Sequence, residues 1–231
     1  MAAGDYPPGA RLPSRARLME QYGVAPQTVV NAINVLRAEG LVVGLTGSGC
    51  YVRRQRPVMR MARTRLSRAE RAAGRGAFTT DAHAGGWSAR VDVDIRTERA
   101  DDEIAAALDL EPGADVLVRD RVMYADDQPV QLATSYLPRD LTTRTAIEQE
   151  NTGPGGVYAR LEDAGHALTH FQEAVRIGQA SEHEAAQLDL PVGAAVYRIR
   201  RIARTATRPL EINLITAAGE RYELYYEFPA E

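Results

Sequence analysis

The chain repeats itself, and the repeat constrains its fold more than any other feature. The stretch ADDEIAAALDLEPGADV at 100–116 returns as ASEHEAAQLDLPVGAAV at 180–196, an offset of 80 residues. The register persists on both sides. Gly85 aligns with Gly165, Arg96 with Arg176 and Arg121 with Arg201, while Pro129-Val-Gln-Leu132 aligns with Pro209-Leu-Glu-Ile212. Each unit reads strand, short helix, glycine-turned loop, strand, turn, strand. Neither unit can bury both faces of its strands alone, so the two are expected to join in one antiparallel sheet with pseudo-twofold symmetry. A cleft between the halves would suit a small ligand. Ser181-x-x-Glu184 reads as a helix capping box.

The N-terminal third has another pattern. Pro7-Pro8-Gly9 marks a turn. Ser14 suits a helix N-cap, Leu18 and Tyr22 share a face, and Gly23 ends the helix. A second helix is predicted from about Pro26 to Glu39, with Val29, Ala32, Ile33 and Leu36 as its apolar stripe. Two strands, 41–45 and 50–53, flank Gly47-Ser48-Gly49. Helix, tight turn, helix and glycine-tipped hairpin make a winged helix-turn-helix. Charge points the same way. Residues 1–71 hold 12 arginines and four acids, whereas the whole chain has a net charge of -3. A basic end on an acidic body is the footprint of a polyanion binder. Eight of those arginines fall between Arg53 and Arg71, where apolar periodicity is weak until about 67–73, so 56–76 reads as an arginine-rich linker.

Other function classes find little support. No run approaches the roughly 18 apolar residues of a membrane helix. The start lacks the charged and apolar regions of a signal peptide. Cys50 is the single cysteine, so no intrachain disulfide can form. The expected location is the cytoplasm. His166 and His170 are four apart, but Gly165 and a strand-like Thr169-His170-Phe171 argue against a helical metal pair. No metal and no cofactor are expected.

The N-terminal motifs are Gly9-Ala-Arg11-Leu-Pro-Ser14, Tyr22-Gly-Val24, Gln27-Thr-Val29, Leu36-Arg-Ala-Glu-Gly-Leu41, Gly47-Ser-Gly49 and Tyr51-Val52. Together they resemble the GntR family of bacterial repressors over about residues 4–53. The resemblance implies that the second helix enters the major groove and that the wing reaches the neighbouring groove. Gln27, Thr28 and Asn31 are then the base-reading candidates. Arg11, Ser14, Arg15 and the wing tip Gly47, Ser48 and Gly49 would hold phosphates. Ala25-Pro26 stands where the family usually has Ser-Arg, and Val30 where it often has Arg. The family also has a helix before the Pro-Gly turn, where this chain has only Ala2 to Tyr6. An effector-binding module with impaired DNA binding is therefore the alternative reading.

The C-terminal part carries Arg119-Asp-Arg121, Gln128-Pro-Val130, Ser135-Tyr-Leu-Pro138, Gly156-Val-Tyr158, Arg200-Arg201, Pro209-Leu-Glu211 and Glu220-Arg-Tyr222. In this order they resemble the UTRA effector domain of the HutC subgroup. The resemblance implies a chorismate-lyase-like fold, an antiparallel sheet with flanking helices. It also implies that Arg119 and Arg121 hold an anionic group, helped by Tyr158, Glu211 and an N–H nest at Gly155 and Gly156. Ala133 stands where the family often has an acid, Gly156 where it often has serine, and Ala217 where some members have tyrosine. A more apolar effector than a sugar phosphate is expected. An enzyme of the same fold would need a positioned acid or base, and only Glu211 and the arginines are candidates.

The expectation is thus an α+β regulator that is not an enzyme. Residues 1–55 form the winged helix-turn-helix, 56–76 a linker and 77–231 the effector and dimerisation domain. Its partners would be double-stranded operator DNA, a small anionic effector and a second copy of the chain.

Overall fold

The computed structural model describes residues 6, 9–38, 41–45, 49–52, 57–228 and 230. The chain divides into two compact units, 1–56 and 57–231.

In the first unit, α1 (Arg15–Tyr22) and α2 (Pro26–Ala38) precede a hairpin of β1 (Val42–Leu45) and β2 (Gly49–Val52). The Ser14 side chain caps α1 by accepting from the Arg17 N–H, and Gly23 ends it at φ 62°, where a side chain would be strained. Pro26 occupies the first position of α2, where no intrahelical donor is needed. Leu12, Val29, Val42 and Val52 are buried, and Tyr6, Ala10, Leu36 and Cys50 pack around Leu12, Val42 and Val52. Tyr22 does not join them: α1 buries no residue, and Tyr22 is 60% exposed.

The second unit begins with β3 (Val58–Met61), α3 (Arg68–Ala72) and α4 (Ala77–Gly85). The first repeat follows as β4 (Ala89–Arg99), α5 (Asp102–Leu108), β5 (Asp115–Ala125) and β6 (Gln128–Pro138). After α6 (Arg139–Thr142) and α7 (Gly156–Asp163) comes the second repeat: β7 (His170–Gln179), α8 (Glu182–Leu188), β8 (Ala195–Arg204) and β9 (Pro209–Ala218). The last strand is β10 (Tyr222–Tyr225). The repeats join in one antiparallel six-stranded sheet of order β4-β5-β6-β9-β8-β7. Thr134 pairs with Leu214 across the central seam. These two are equivalent positions at the offset of 80, so the pseudo-twofold passes between them. The capping box of Ser181 and Glu184 starts α8.

The linker expectation fails here. Residues 58–61 form a strand that pairs in parallel with 222–225. Arg60, Arg65 and Arg71 are buried. Each has a distant acid: Arg60 pairs with Glu173, Arg65 with Asp81 and Arg71 with Glu162. Burial of a paired arginine leaves no apolar periodicity to read, and so a packed segment looked like a solvated one.

Two apolar clusters lie on one face of the six-stranded sheet. One gathers Phe78, Met123, Val130, Ala133, Ile199 and Ile215. The other gathers Leu117, Leu137, Leu161, Ala203 and Leu210. Between them runs a single cross-strand rung, Ile95–Arg119–Ser135–Asn213–Arg201–Glu173. Helix α5 packs with Val116, Val118 and Ile212, which alternate with this face.

Candidate functional site

Two places hold the residues singled out above, one in each unit. In the first unit, Gln27, Thr28 and Asn31 are exposed on α2, in a stripe that continues through Asn34 and Val35. The Gln27 side-chain amide donates to the Asn31 Oδ1 at 2.9 Å. This i, i+4 bond aligns two amides along the helix surface. Arg15 opens α1 and is exposed, and Arg11 bridges Tyr51 of β2 through its backbone. The Arg11 guanidinium lies over Gly49, where a Cβ would come within 3.0 Å of its Nε. Gly49 also has a φ of 108°, which a side chain would resist. Arg11 and the start of β2 are therefore brought together. Gly47 and Ser48 lie outside the described residues. Arg37 crosses Gly44 and reaches the Cys50 Sγ at 3.6 Å.

In the second unit, a cavity of about 860 Å³ opens over the polar rung. Its lining includes Arg119, Arg121, Gly155, Gly156, Tyr158 and Glu211, so the sequence-predicted effector residues converge. Their roles differ from expectation at two points. Arg119 does not present an open fork. Its Nη atoms donate to the carbonyls of Ile147, Gln149 and Glu150, bracing that turn, and burial, reinforced by Arg121, lowers its pKa to about 10. The glycines do not form a nest either. The Gly155 N–H donates to the Gly74 carbonyl and the Gly156 N–H to the Gly153 carbonyl. Gly155 is required for a different reason. Its φ is 78°, and a Cβ there would lie 2.6 Å from that of Ala159.

Arg121 donates through Nη2 to the Ser135 hydroxyl. The Tyr158 hydroxyl donates to Glu211, and its ring packs on Phe171 at 5.1 Å. Burial pushes the Tyr158 hydroxyl well above its usual pKa, so it stays a donor. The sequence reading missed Arg65, Asn213 and Arg201 as lining residues. Arg201 was within reach, because the repeat places it opposite Arg121. Nothing in the linear pattern pointed to Arg65.

Behind the cavity floor lies a buried ionic cluster. Glu173 accepts from both Arg60 Nη atoms and meets the Arg201 Nε at 3.3 Å. Burial acts against the Glu173 charge, but the Arg60 hydrogen bonds outweigh it and hold the carboxyl below its usual pKa. Arg65 faces Asp81 at 3.0 Å, and burial, reinforced by Arg60, lowers its pKa to about 10. Five arginines at 60, 65, 119, 121 and 201 thus line or back this cavity against the inner acids Asp81, Glu173 and Glu211, while two exposed acids, Asp92 and Glu150, stand on its lining and bring the charges level. Among its buried atoms, the Arg65 Nη1, Arg119 Nε, Arg201 Nε and Asn213 Oδ1 lack a hydrogen-bond partner. Such groups are costly to leave unpaired. A larger concavity, about 1250 Å³, opens on the opposite face beside α8, but none of these partnerless atoms lines it. Among the described residues no cluster of His, Cys, Asp and Glu could hold a metal, and no helix is long and apolar enough to cross a membrane.

Comparison with known proteins places both units. Residues 1–52 match the model for bacterial regulatory proteins of the gntR family, and 90–223 match the UTRA domain. An uncharacterized HTH-type transcriptional regulator of Streptomyces coelicolor is 34% identical, covering 97% of this chain and 87% of its own length. The histidine utilization repressor of Pseudomonas putida is 28% identical over 97% of this chain and 86% of its own. Among solved structures, a GntR-family regulator aligns at TM-score 0.66 and 29% identity, covering all of this chain and 93% of that one. PhnF from Mycobacterium smegmatis aligns at 0.67 and 23% identity, again over all of this chain and over 96% of that one. The chain therefore belongs to the gntR family of bacterial regulatory proteins that carry a UTRA domain, as a DNA-binding transcriptional regulator with a small-molecule effector domain and not an enzyme.

Proposed function

We propose that this regulator is a homodimeric repressor whose operator affinity falls when a small anionic molecule enters the cavity over the polar rung. The observation that carries the reading is the gathering of buried arginines there, Arg65, Arg119 and Arg201, together with their N–H groups that have no partner. An anion would satisfy both. Arg121 and Arg201 are the main anion-binding groups, Tyr158 and Glu211 form the wall, and Asn213 offers an acceptor. Arg119 braces the neighbouring turn. Phe78, Val91, Met123 and Ala133 form an apolar part of the lining, which supports a ligand with an apolar body behind its anionic group.

On DNA, α2 reads bases through Gln27, Thr28 and Asn31, while Arg11 and Arg15 hold phosphates. Dimerisation through the second unit would present two α2 helices to half-sites one or more helical turns apart. Release follows if the effector binds more tightly to an arrangement that fits those half-sites poorly.

The test uses an operator selected from random DNA and the small molecule recovered from the purified protein by mass spectrometry. Arg121→Ala should bind the operator as wild type does. It should need tenfold or more ligand for release, since a charge-assisted hydrogen bond is worth about 1.5–3 kcal/mol. Release at the wild-type ligand concentration would move the site away from Arg121.

A further inference from the structure

Glu173 is shared by two arginines with different surroundings. Arg201 lies on the cavity floor, beside Asn213 in the polar rung. Arg60 lies in β3, the first strand of the second unit, which the chain enters directly from the DNA-reading unit. Arg60 is fully buried and holds both carboxylate oxygens of Glu173. Arg201 approaches one of the same oxygens at 3.3 Å, yet its Nε has no hydrogen-bond partner. Arg65 and Asp81 complete the cluster, with the buried Tyr222 beside them. Three arginines therefore share two carboxylates in a region with little water, where like charges repel strongly.

We propose that Glu173 is a positioning residue that couples the cavity to β3: an anion taken up by Arg201 leaves Glu173 wholly to Arg60 and fastens β3 in place. The physical reason is competition. With the cavity free of an anion, Arg201 draws on the charge that also holds Arg60. An anion on the cavity side satisfies Arg201, and the Arg60–Glu173 pair strengthens. Beyond the Arg60–Glu173 pair, β3 is held by four residues of pairing with β10, by the Ala62 N–H donating to the Tyr225 carbonyl and by Val58, buried with Phe78 and Tyr222. So short a strand responds to one ion pair in a way that the long central strands do not. The inference rests on the proposed effector reading for its consequence at the operator, but not for the coupling itself.

The experiment needs no ligand. Amide hydrogen exchange is followed in peptides covering 57–62 of the full-length protein, with β5 as the internal control. R201Q removes the competitor. Exchange in 57–62 should slow by about threefold, less than a charge-assisted hydrogen bond would give, because the Arg201 contact makes none. E173Q removes the charge that Arg60 holds through hydrogen bonds, and exchange there should quicken by about tenfold. A merely structural cluster would quicken in both variants, so opposite directions are the signature of competition. Unchanged or faster exchange in R201Q overturns the proposal. If R201Q does not fold, unchanged exchange in E173Q overturns it equally. Operator affinity is measured on the same samples. Slowed exchange in R201Q with wild-type operator affinity upholds the coupling and shows that it stops short of the operator.

Discussion

The two units of this regulator place their chemistry in opposite environments. In the first, Gln27, Thr28 and Asn31 stand exposed on α2, and among the described residues the core is a few side chains around Leu12, Val42 and Val52. In the second, Arg119, Ser135, Asn213 and Arg201 are buried in the middle of a sheet, between two apolar clusters. A surface side chain that reads DNA has water as its partner until DNA arrives, so it needs few neighbours. A buried side chain that binds a small molecule needs partners at all times, and what it lacks in the protein it can take from the ligand. That difference makes the first unit's function a matter of helix periodicity. It makes the second unit's function a matter of long-range pairing.

The largest expected effect tests the core of the second unit. Leu137 is completely buried in the cluster beside the polar rung. Leu137→Ala should destabilise that unit by about 2–5 kcal/mol through reduced burial and a cavity. Trp87 is the single tryptophan and packs on Phe78 at 5.0 Å, so its fluorescence reports urea unfolding of the second unit alone. A midpoint unchanged from wild type would mean that this sheet tolerates a void at its centre. It would also erase the contrast between a dense unit and a sparse one.

A smaller effect is expected on the exposed face of α2. A bidentate amide–adenine contact discriminates by about 1–3 kcal/mol. Gln27→Ala should relax preference at one or two operator positions and also free Asn31 from its bonded neighbour. Thermal stability should barely change, because the bond it removes is exposed. Selection from random DNA that returns the wild-type motif would move base reading to Asn34 and its neighbours.

The smallest effect concerns phosphates. Changing Arg11 and Arg15 to Ala should weaken binding to all sequences alike. The salt dependence should flatten by about one unit of slope for each phosphate no longer neutralised. A titration over several salt concentrations checks this. An unchanged slope would show that neither arginine meets the backbone of DNA, and Arg11 would then serve only to cover Gly49.

Much of this was legible in the residues themselves. Ser14, Gly23 and Pro26 set the helix limits through local hydrogen bonding and backbone freedom, which depend on near neighbours in the chain. The repeat at an offset of 80 foretold the sheet, because like sequences make like units and two open units close by pairing. It also paired Arg121 with Arg201, both of which line the cavity.

Only the tertiary structure decided what the buried arginines do. Arg60 meets Glu173 across 113 positions of sequence, and the strand that carries it pairs with residues more than 160 positions away. Arg119 turned from the ligand fork that the family resemblance implied to a brace on the carbonyls of 147–150. The Gly155 and Gly156 amides turned to the carbonyls of Gly74 and Gly153. Periodicity reports which side of a strand or helix a residue occupies. It carries no information about which distant carboxylate or carbonyl will meet a charged group there, since that partner is chosen by packing.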